Sequence, residues 1–330
     1  MSARAITAPP AWRQLDYLPV ALFGSVMGLT GLSVAWRLAH ARYGAPAWIA
    51  GSIGAIATIV FATLVLAYAV KFATAPDAVR AEFRHPIAGN LFGTVLISLL
   101  LLPIILMPLS LPLARAMWVI GAVAMLGFAW LIVSRWLSDR QQVAHATPAW
   151  IIPVVGMLDL PLALPSLGLP PMHGVMVVGL AIGLFFAVPL FTLIVSRLVF
   201  EPPMPDALQP TLMILVAPFA VGFSTYVATT GQVDLFAQSL YVLTLFMLAV
   251  LLGRLRHLPS CCPFRVSWWA VSFPLAASAI AALRFAAADP GMITDAIGLG
   301  LLALASVTVA GLLVRTLVGV ARGELRALSA

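Results

Sequence analysis

The chain has 330 residues, of which 62% are hydrophobic and only 9% charged, and its formal net charge is +7. A water-soluble domain carries roughly a quarter charged residues, so this composition excludes the soluble classes, including cytosolic enzymes and nucleic-acid-binding modules. A membrane-spanning helix needs ~20 mostly apolar residues, and the chain is apolar enough for about ten of them.

The apolar runs predict an all-α membrane protein with ten transmembrane helices. Only α-helices and closed β-barrels satisfy all backbone hydrogen bonds in lipid. The runs are long and continuous, without the short alternating segments of a β-barrel, so they are predicted to be helices. The predicted helices cover residues 18–38, 48–73, 88–109, 114–137, 148–165, 172–199, 210–229, 234–253, 266–287 and 292–319. They form one transmembrane domain over 18–320, with short cytoplasmic termini at 1–17 and 321–330.

The basic residues predict the orientation. Fourteen of the 18 lysines and arginines flank helix ends on the side that holds both termini, which predicts cytoplasmic termini in the cell membrane. Connections after helices 3, 5, 7 and 9 are short and the cytoplasmic ones are longer, so the chain is expected to form five helical hairpins. Because the charges flank apolar runs and form no single soluble face, membrane lipid is the expected partner and nucleic acid is not.

Prolines concentrate in the odd-numbered helices. Pro19, Pro103, Pro153, Pro218 and Pro274 recur about every 64 residues, a period that indicates an internal repeat. A proline inside a helix removes a hydrogen bond and kinks the helix. Five kinked odd helices around one axis would enclose a pore, with the even helices outside. The alternative is that proline and glycine are simply common in membrane helices without a pore.

The residues available to line such a pore are small and apolar, which favours conduction over tight binding. The basic cytoplasmic mouth and the N-termini of broken helices would favour anions over cations. Cation pathways usually carry acidic residues within the spans, and here only Asp159 lies deep in a predicted helix. Asp159 has three possible roles: it caps a half-helix before Pro161, it bonds a neighbouring helix, or it couples transport to protons.

No catalytic residue, cofactor or metal site is expected. The five histidines are scattered over loops and helix ends without a paired metal-binding spacing, and no glycine-rich phosphate loop is present. No histidine shares the depth of the intramembrane serines, so a serine nucleophile would lack its base.

Four stretches together resemble the tellurite-resistance/dicarboxylate transporter family, which includes TehA-like proteins and the plant guard-cell slow-type anion channels. They are the pairs Phe23-Gly24 and Gly28-Leu29 with Val34-Ala35-Trp36, the loop Val79–Pro86, the segments Leu208–Pro210 and Leu215–Pro218, and the segment Trp268–Leu275. The resemblance covers residues 15 to 320, essentially the whole chain.

This resemblance implies a quasi-five-fold pore lined by kinked odd helices, often in a homotrimer, with Phe273 of helix 9 plugging the pore. The residue before a proline is biased away from helical geometry, so a bend at Phe273 would let its ring project into a narrow pore. The residues predicted to line the pore or kink its helices are Phe23, Gly24, Gly28, Pro103, Pro153, Pro218, Gly222, Pro274 and Ala277.

The expected function is a passive channel selective for small anions, gated by Phe273. Two alternatives stay open: a proton-coupled transporter of C4-dicarboxylates or of oxyanions such as sulfite and tellurite, and a structural subunit without transport. Asp159 and the additional prolines Pro108, Pro161 and Pro165 depart from the family pattern.

Overall fold

The computed structural model describes residues 15–170, 172–255 and 262–329. Within these ranges ten helices are long and apolar enough to cross a membrane, as predicted. They are α1 Val20–Tyr43, α2 Ala47–Thr74, α3 Ala88–Leu106, α4 Leu111–Ser138, α5 Pro148–Ser166, α6 His173–Phe200, α7 Asp206–Thr230, α8 Leu235–Arg254, α9 Val266–Ala288 and α10 Met292–Ala321. Residues 1–14 of the predicted N-terminal segment and residue 330 lie outside the described residues.

Most helix bounds lie within four residues of the prediction, and the end of α1 is the exception. The prediction ended this helix at residue 38, but it continues to Tyr43 and is capped by Gly44, whose φ is 70°. A left-handed residue after the last turn is a common helix terminator, and glycine adopts it without steric cost. The basic residues in the last turns of α1 therefore belong to the helix.

The odd-numbered helices are buried and the even-numbered helices are exposed. In the odd helices, 67–83% of the most apolar 18-residue stretch is buried inside the protein, against 17–39% in the even helices. Large apolar side chains such as Trp130, Phe185 and Phe246 are more than half exposed on the even helices. An apolar surface of this extent is unfavourable in water, so the even helices provide the surface that faces lipid.

The contacts between helices follow one rule around the bundle. Each odd helix packs against the even helix that follows it, and it also contacts two other odd helices. The order of these contacts is α1, α3, α5, α7, α9 and back to α1, so the odd helices form a closed ring.

Every odd helix begins as a 3₁₀ helix and then becomes α-helical, although α5 alternates between short α-helical and 3₁₀ segments over its whole length. The 3₁₀ segments are Val20–Leu22, Ala88–Phe92, Pro148–Ile151, Asp206–Val216 and Val266–Val271. The even helices are α-helical throughout their described residues. Because 3₁₀ runs longer than 3–4 residues are uncommon, the eleven-residue run in α7 is unusual.

Four predicted kink prolines lie where the helix type changes or the helix is interrupted. Pro153 and Pro218 are the second residues of α-helical segments that follow a 3₁₀ segment, and Pro274 is the third. Pro103 begins a new α-helical turn after a break at Leu102 in α3. A proline has no N–H to donate, so it is best tolerated at these starts.

Glycines on α1 allow α9 to approach closely. A Cβ at Gly28 would lie 2.1 Å from Ser272 Oγ, and a Cβ at Gly31 would lie 2.9 Å from Ala276 Cβ. Small residues at such crossings let two helix backbones pack closely in a membrane. The position of α9 relative to the ring axis therefore depends on the absence of side chains on α1.

Candidate functional site

The ring of odd helices encloses a cavity of ≈ 330 Å³, called here the large cavity. It lies at the end of the bundle where the odd helices begin. All five odd helices line it, for example through Gly24, Thr94, Val155, Thr211 and Trp269, and none of the described residues that line it belongs to an even helix.

The 3₁₀ segments explain why the lining is so regular. In a 3₁₀ helix residues i and i+3 are eclipsed, so every third residue faces the same direction. In α7 the lining residues Leu208, Thr211, Ile214 and Ala217 follow this three-residue spacing.

A second, small cavity of ≈ 30 Å³ lies further along the same ring. It is lined by the later parts of the odd helices, including Thr30, Leu101, Leu162 and Ser224. Phe273 and Val221 line both cavities. Phe273 therefore lies between the two cavities.

The local structure of α9 determines where the Phe273 ring lies. The helix changes from 3₁₀ to α-helix at Ser272, directly before Phe273. Ser272 Oγ donates to Trp269 O at 2.6 Å, and Trp269 Nε1 donates to Thr316 Oγ1 of α10 at 3.0 Å. Phe273 is 8% exposed, and a Cβ at the facing Gly31 would lie 3.5 Å from its ring.

Asp159 is buried in α5, 1% exposed, and lines the large cavity. Its backbone lies at the start of the short segment Leu160–Ala163, but its side chain makes no capping hydrogen bond. Asp159 Oδ1 has no hydrogen-bond partner among the described residues. The predicted roles as a side-chain cap or as a bond to a neighbouring helix therefore lack their hydrogen bonds in this structure.

Other helices bond the backbone around Asp159. Thr225 Oγ1 of α7 donates to Leu158 O, and Trp118 Nε1 of α4 donates to Leu160 O at 3.0 Å. The interrupted helix is thus stabilised by its neighbours, while the carboxylate faces the cavity. The other ionisable residue among the described residues that line this cavity is Arg265, near its mouth.

Three of the predicted lining residues do line a cavity. Gly24 and Pro274 border the large cavity, and Ala277 borders the small one. Ala277 shares its face of α9 with Phe273, because residues i and i+4 lie on one side of an α-helix.

Phe23, Gly28 and Gly222 differ from the prediction, because they face neighbouring helices instead. The Phe23 ring packs edge-on against Phe61 of α2, with 6.0 Å between ring centroids. Gly28 packs against α9, and a Cβ at Gly222 would lie 3.2 Å from Leu184 of α6. These residues pack helices together. Small and aromatic residues suit helix packing as well as pore lining, so the sequence alone does not separate the two roles.

A buried ion pair holds the mouth of the ring. Lys71 is 3% exposed, and its Nζ donates to Glu82 Oε2 at 2.6 Å and to Leu18 O at 2.7 Å. Glu82 also accepts the Val20 N–H at 2.7 Å and the Tyr68 hydroxyl at 2.9 Å. The connecting helix Pro76–Arg84 is thereby tied to the first turn of α1.

The sequence interpretation missed Arg284, which it treated only as a flanking charge. Arg284 lines the small cavity, and its Nη1 donates to Ser224 O of α7 at 3.2 Å. The signal was present in the spacing: Phe273, Ala277, Ile280 and Arg284 lie at i, i+4, i+7 and i+11, which is one face of an α-helix.

These features define a multi-pass membrane protein whose inner helices enclose two cavities with one aromatic ring between them. Residues 17–317 match the SLAC1 family, described as voltage-dependent anion channel, so the chain belongs to that family. The resemblance found in the sequence motifs is therefore confirmed.

Individual relatives are distant in sequence. The chain is 28% identical over 318 residues to the S-type anion channel SLAH3 of Arabidopsis thaliana, covering 93% of this chain and 49% of SLAH3. It is 27% identical over 282 residues to the tellurite resistance protein TehA homolog of Haemophilus influenzae, covering 81% of each. It is also 27% identical over 240 residues to the uncharacterized transporter MJ0762 of Methanocaldococcus jannaschii. The chain thus spans about half the length of SLAH3.

Proposed function

We propose that this protein is a passive, anion-selective channel whose pore is the axis of the odd-helix ring and whose occluding residue is Phe273. The observation that carries the proposal is that Phe273 is shared by the two cavities on that axis. An ion moving from one cavity to the other must pass this ring, and a narrow apolar constriction blocks ions by withholding their hydration.

Selectivity for anions is supported by the charge around the route. The five odd helices all begin around the mouth of the large cavity, and helix N-termini carry partial positive charge that attracts anions. The walls are predominantly apolar, Arg265 lies at the mouth, and Arg284 lies beyond Phe273. Cation channels rely instead on carboxylate rings or backbone carbonyls.

Small inorganic or organic anions are the proposed substrates, and the cell membrane with cytoplasmic termini is the proposed setting. The excess of basic residues on the side of the termini supports that orientation. The homotrimer implied by the family resemblance is also a proposal; native mass spectrometry in detergent would show three copies if it is correct.

The test is ion-substitution electrophysiology on the purified protein in planar bilayers. Phe273→Ala is expected to conduct chloride and nitrate, with a reversal potential that follows the anion gradient. A reversal potential that follows the sodium or potassium gradient would contradict anion selectivity. Absence of current in both wild type and Phe273→Ala would favour the structural-subunit alternative.

A second candidate is a proton-coupled transporter of C4-dicarboxylates or of oxyanions such as sulfite and tellurite, and Asp159 is the observation that favours it. An ionised carboxylate facing the cavity repels an anion, whereas a protonated carboxyl does not, so a proton and an anion would pass this point together. This candidate predicts saturable uptake of succinate or sulfite that rises as the pH falls, and it predicts that Asp159→Asn loses this pH dependence. Flux that is unsaturable and independent of pH would eliminate it.

A further inference from the structure

Arg284 is partly buried near the end of α9, where an anion would stabilise its guanidinium. The small cavity that it lines is enclosed by all five odd helices. The ion pairs between described residues do not include Arg284. Its hydrogen bond goes to an uncharged backbone carbonyl, Ser224 O, which leaves most of the five guanidinium donors for another acceptor.

Thr30 supplies a second, independent donor to the same cavity. It is fully buried at 0% exposed, it lines the small cavity, and its Oγ1 has no hydrogen-bond partner among the described residues. Buried hydroxyls nearly always have a partner. Thr30 on α1 and Arg284 on α9 therefore present two kinds of hydrogen-bond donor to one small space.

We propose that Arg284 and Thr30 form a binding site for one small monovalent anion, such as chloride or nitrate, on the far side of Phe273. A single guanidinium balances a single negative charge. The volume of ≈ 30 Å³ is about two water-sized spheres, which suits a compact inorganic ion and is too small for a four-carbon dicarboxylate. The site deepens the proposed channel function, because it would receive the anion that has passed the ring.

Arg37 provides a matched comparison. It lies near the same end of the bundle, on α1, and donates to Ile104 O at 2.7 Å and to Ile105 O at 3.4 Å. Like Arg284 it bonds backbone carbonyls, but it does not line either cavity. A purely electrostatic effect of arginines at this end would involve both residues, whereas an anion site in the small cavity involves only Arg284.

The experiment measures anion binding without requiring conduction. The full chain, with Phe273 intact, is purified in detergent, and its thermal unfolding is followed in sodium chloride, nitrate or gluconate at one ionic strength. A ligand that binds the folded state raises the unfolding temperature in a concentration-dependent way. Wild type and Arg37→Gln are expected to be stabilised by chloride and nitrate relative to the bulkier gluconate.

Arg284→Gln is expected to weaken this apparent anion affinity by about tenfold or more, because it removes a charge-assisted hydrogen bond. The isosteric Thr30→Val is expected to weaken it by about fivefold, because it removes a neutral hydrogen bond. Equal affinity in wild type and Arg284→Gln, or equal loss in Arg37→Gln and Arg284→Gln, overturns the site. If Arg284→Gln does not fold, unchanged affinity in Thr30→Val overturns it.

The outcome separates this site from the channel proposal. If Phe273→Ala carries no anion current but the chloride-dependent stabilisation still requires Arg284, the site stands and the channel function fails. If Phe273→Ala conducts anions but the stabilisation ignores Arg284, the channel function stands and the site fails.

Discussion

Replacing Phe273 with alanine removes the ring that lies between the large and small cavities. Under the proposed gating, an anion passes through the wild-type protein only if this 8% exposed ring swings out of its packed position. Removing the packing of a buried phenylalanine ring costs about 3–5 kcal/mol in Phe→Ala substitutions, and the lower end applies here because the ring borders a cavity on each side. Since 1.36 kcal/mol is a factor of ten in rate, about 3 kcal/mol corresponds to a roughly 100-fold barrier.

We therefore expect Phe273→Ala to carry an anion current about 100-fold larger than the wild type in voltage-clamped bilayers. Phe273→Leu should fall between the two, because leucine blocks part of the constriction. Phe23→Ala is the matched control: Phe23 is also buried, at 2% exposed, but its ring packs against α2 and not against a cavity.

Two results would refute the reasoning. A Phe273→Ala current no larger than that of the wild type would show that the ring is not the barrier. An equal increase in Phe23→Ala would show that loosened packing, and not the opening of the axis, produces the current. Unfolding temperatures of both variants, measured in the same detergent, separate lost current from lost protein.

Three further predictions concern the walls of the ring. Asp159→Asn should make anion flux less dependent on pH, because the amide cannot become a carboxylate in the cavity. Flux assays between pH 5 and 8 measure this dependence. An unchanged pH profile would show that Asp159 does not lie on the anion route. Gly28→Ala should lower the free energy of unfolding by about 1–3 kcal/mol through overpacking, since the new Cβ would lie 2.1 Å from Ser272 Oγ. Gly51→Ala, with nothing within 4 Å, should be neutral or slightly stabilising in the same thermal unfolding assay, because alanine is the better helix former. Glu82→Gln should cost about 3 kcal/mol of stability, because it leaves a buried ammonium without its counter-charge; a loss below about 1 kcal/mol, the range of surface ion pairs, would contradict the buried-pair description.

The number and type of helices followed from the sequence because lipid imposes a strong one-dimensional constraint. Each span must satisfy its own backbone hydrogen bonds and must be about 20 apolar residues long. This is why α9 was predicted at 266–287 and observed at Val266–Ala288. The end of α1 was less predictable, since Arg37 read as a flanking charge while its side chain bonds to α3 within the bundle.

The residues of the candidate site were only partly predictable, because a small residue suits close packing as well as a cavity wall. Gly24 borders the large cavity, but Gly28, one turn further along α1, packs against Ser272. Whether a small residue packs against a helix or lines a cavity depends on the rotation of its helix and on what faces it. Neither is encoded in local composition. Arg284 shows the reverse case, since its spacing from Phe273 was visible but the cavity that it borders was not.

The sequence by itself determined the membrane class, the ten spans and the family, because these depend on hydrophobic length and on short ordered motifs. Only the tertiary structure decided that every odd helix begins as a 3₁₀ helix, that Phe273 is shared by two cavities, and that Asp159 and Arg284 border the large and small cavity respectively. The physical reason is that a cavity belongs to no single helix. It exists where five helices leave space between them, and its lining depends on how all five are packed together.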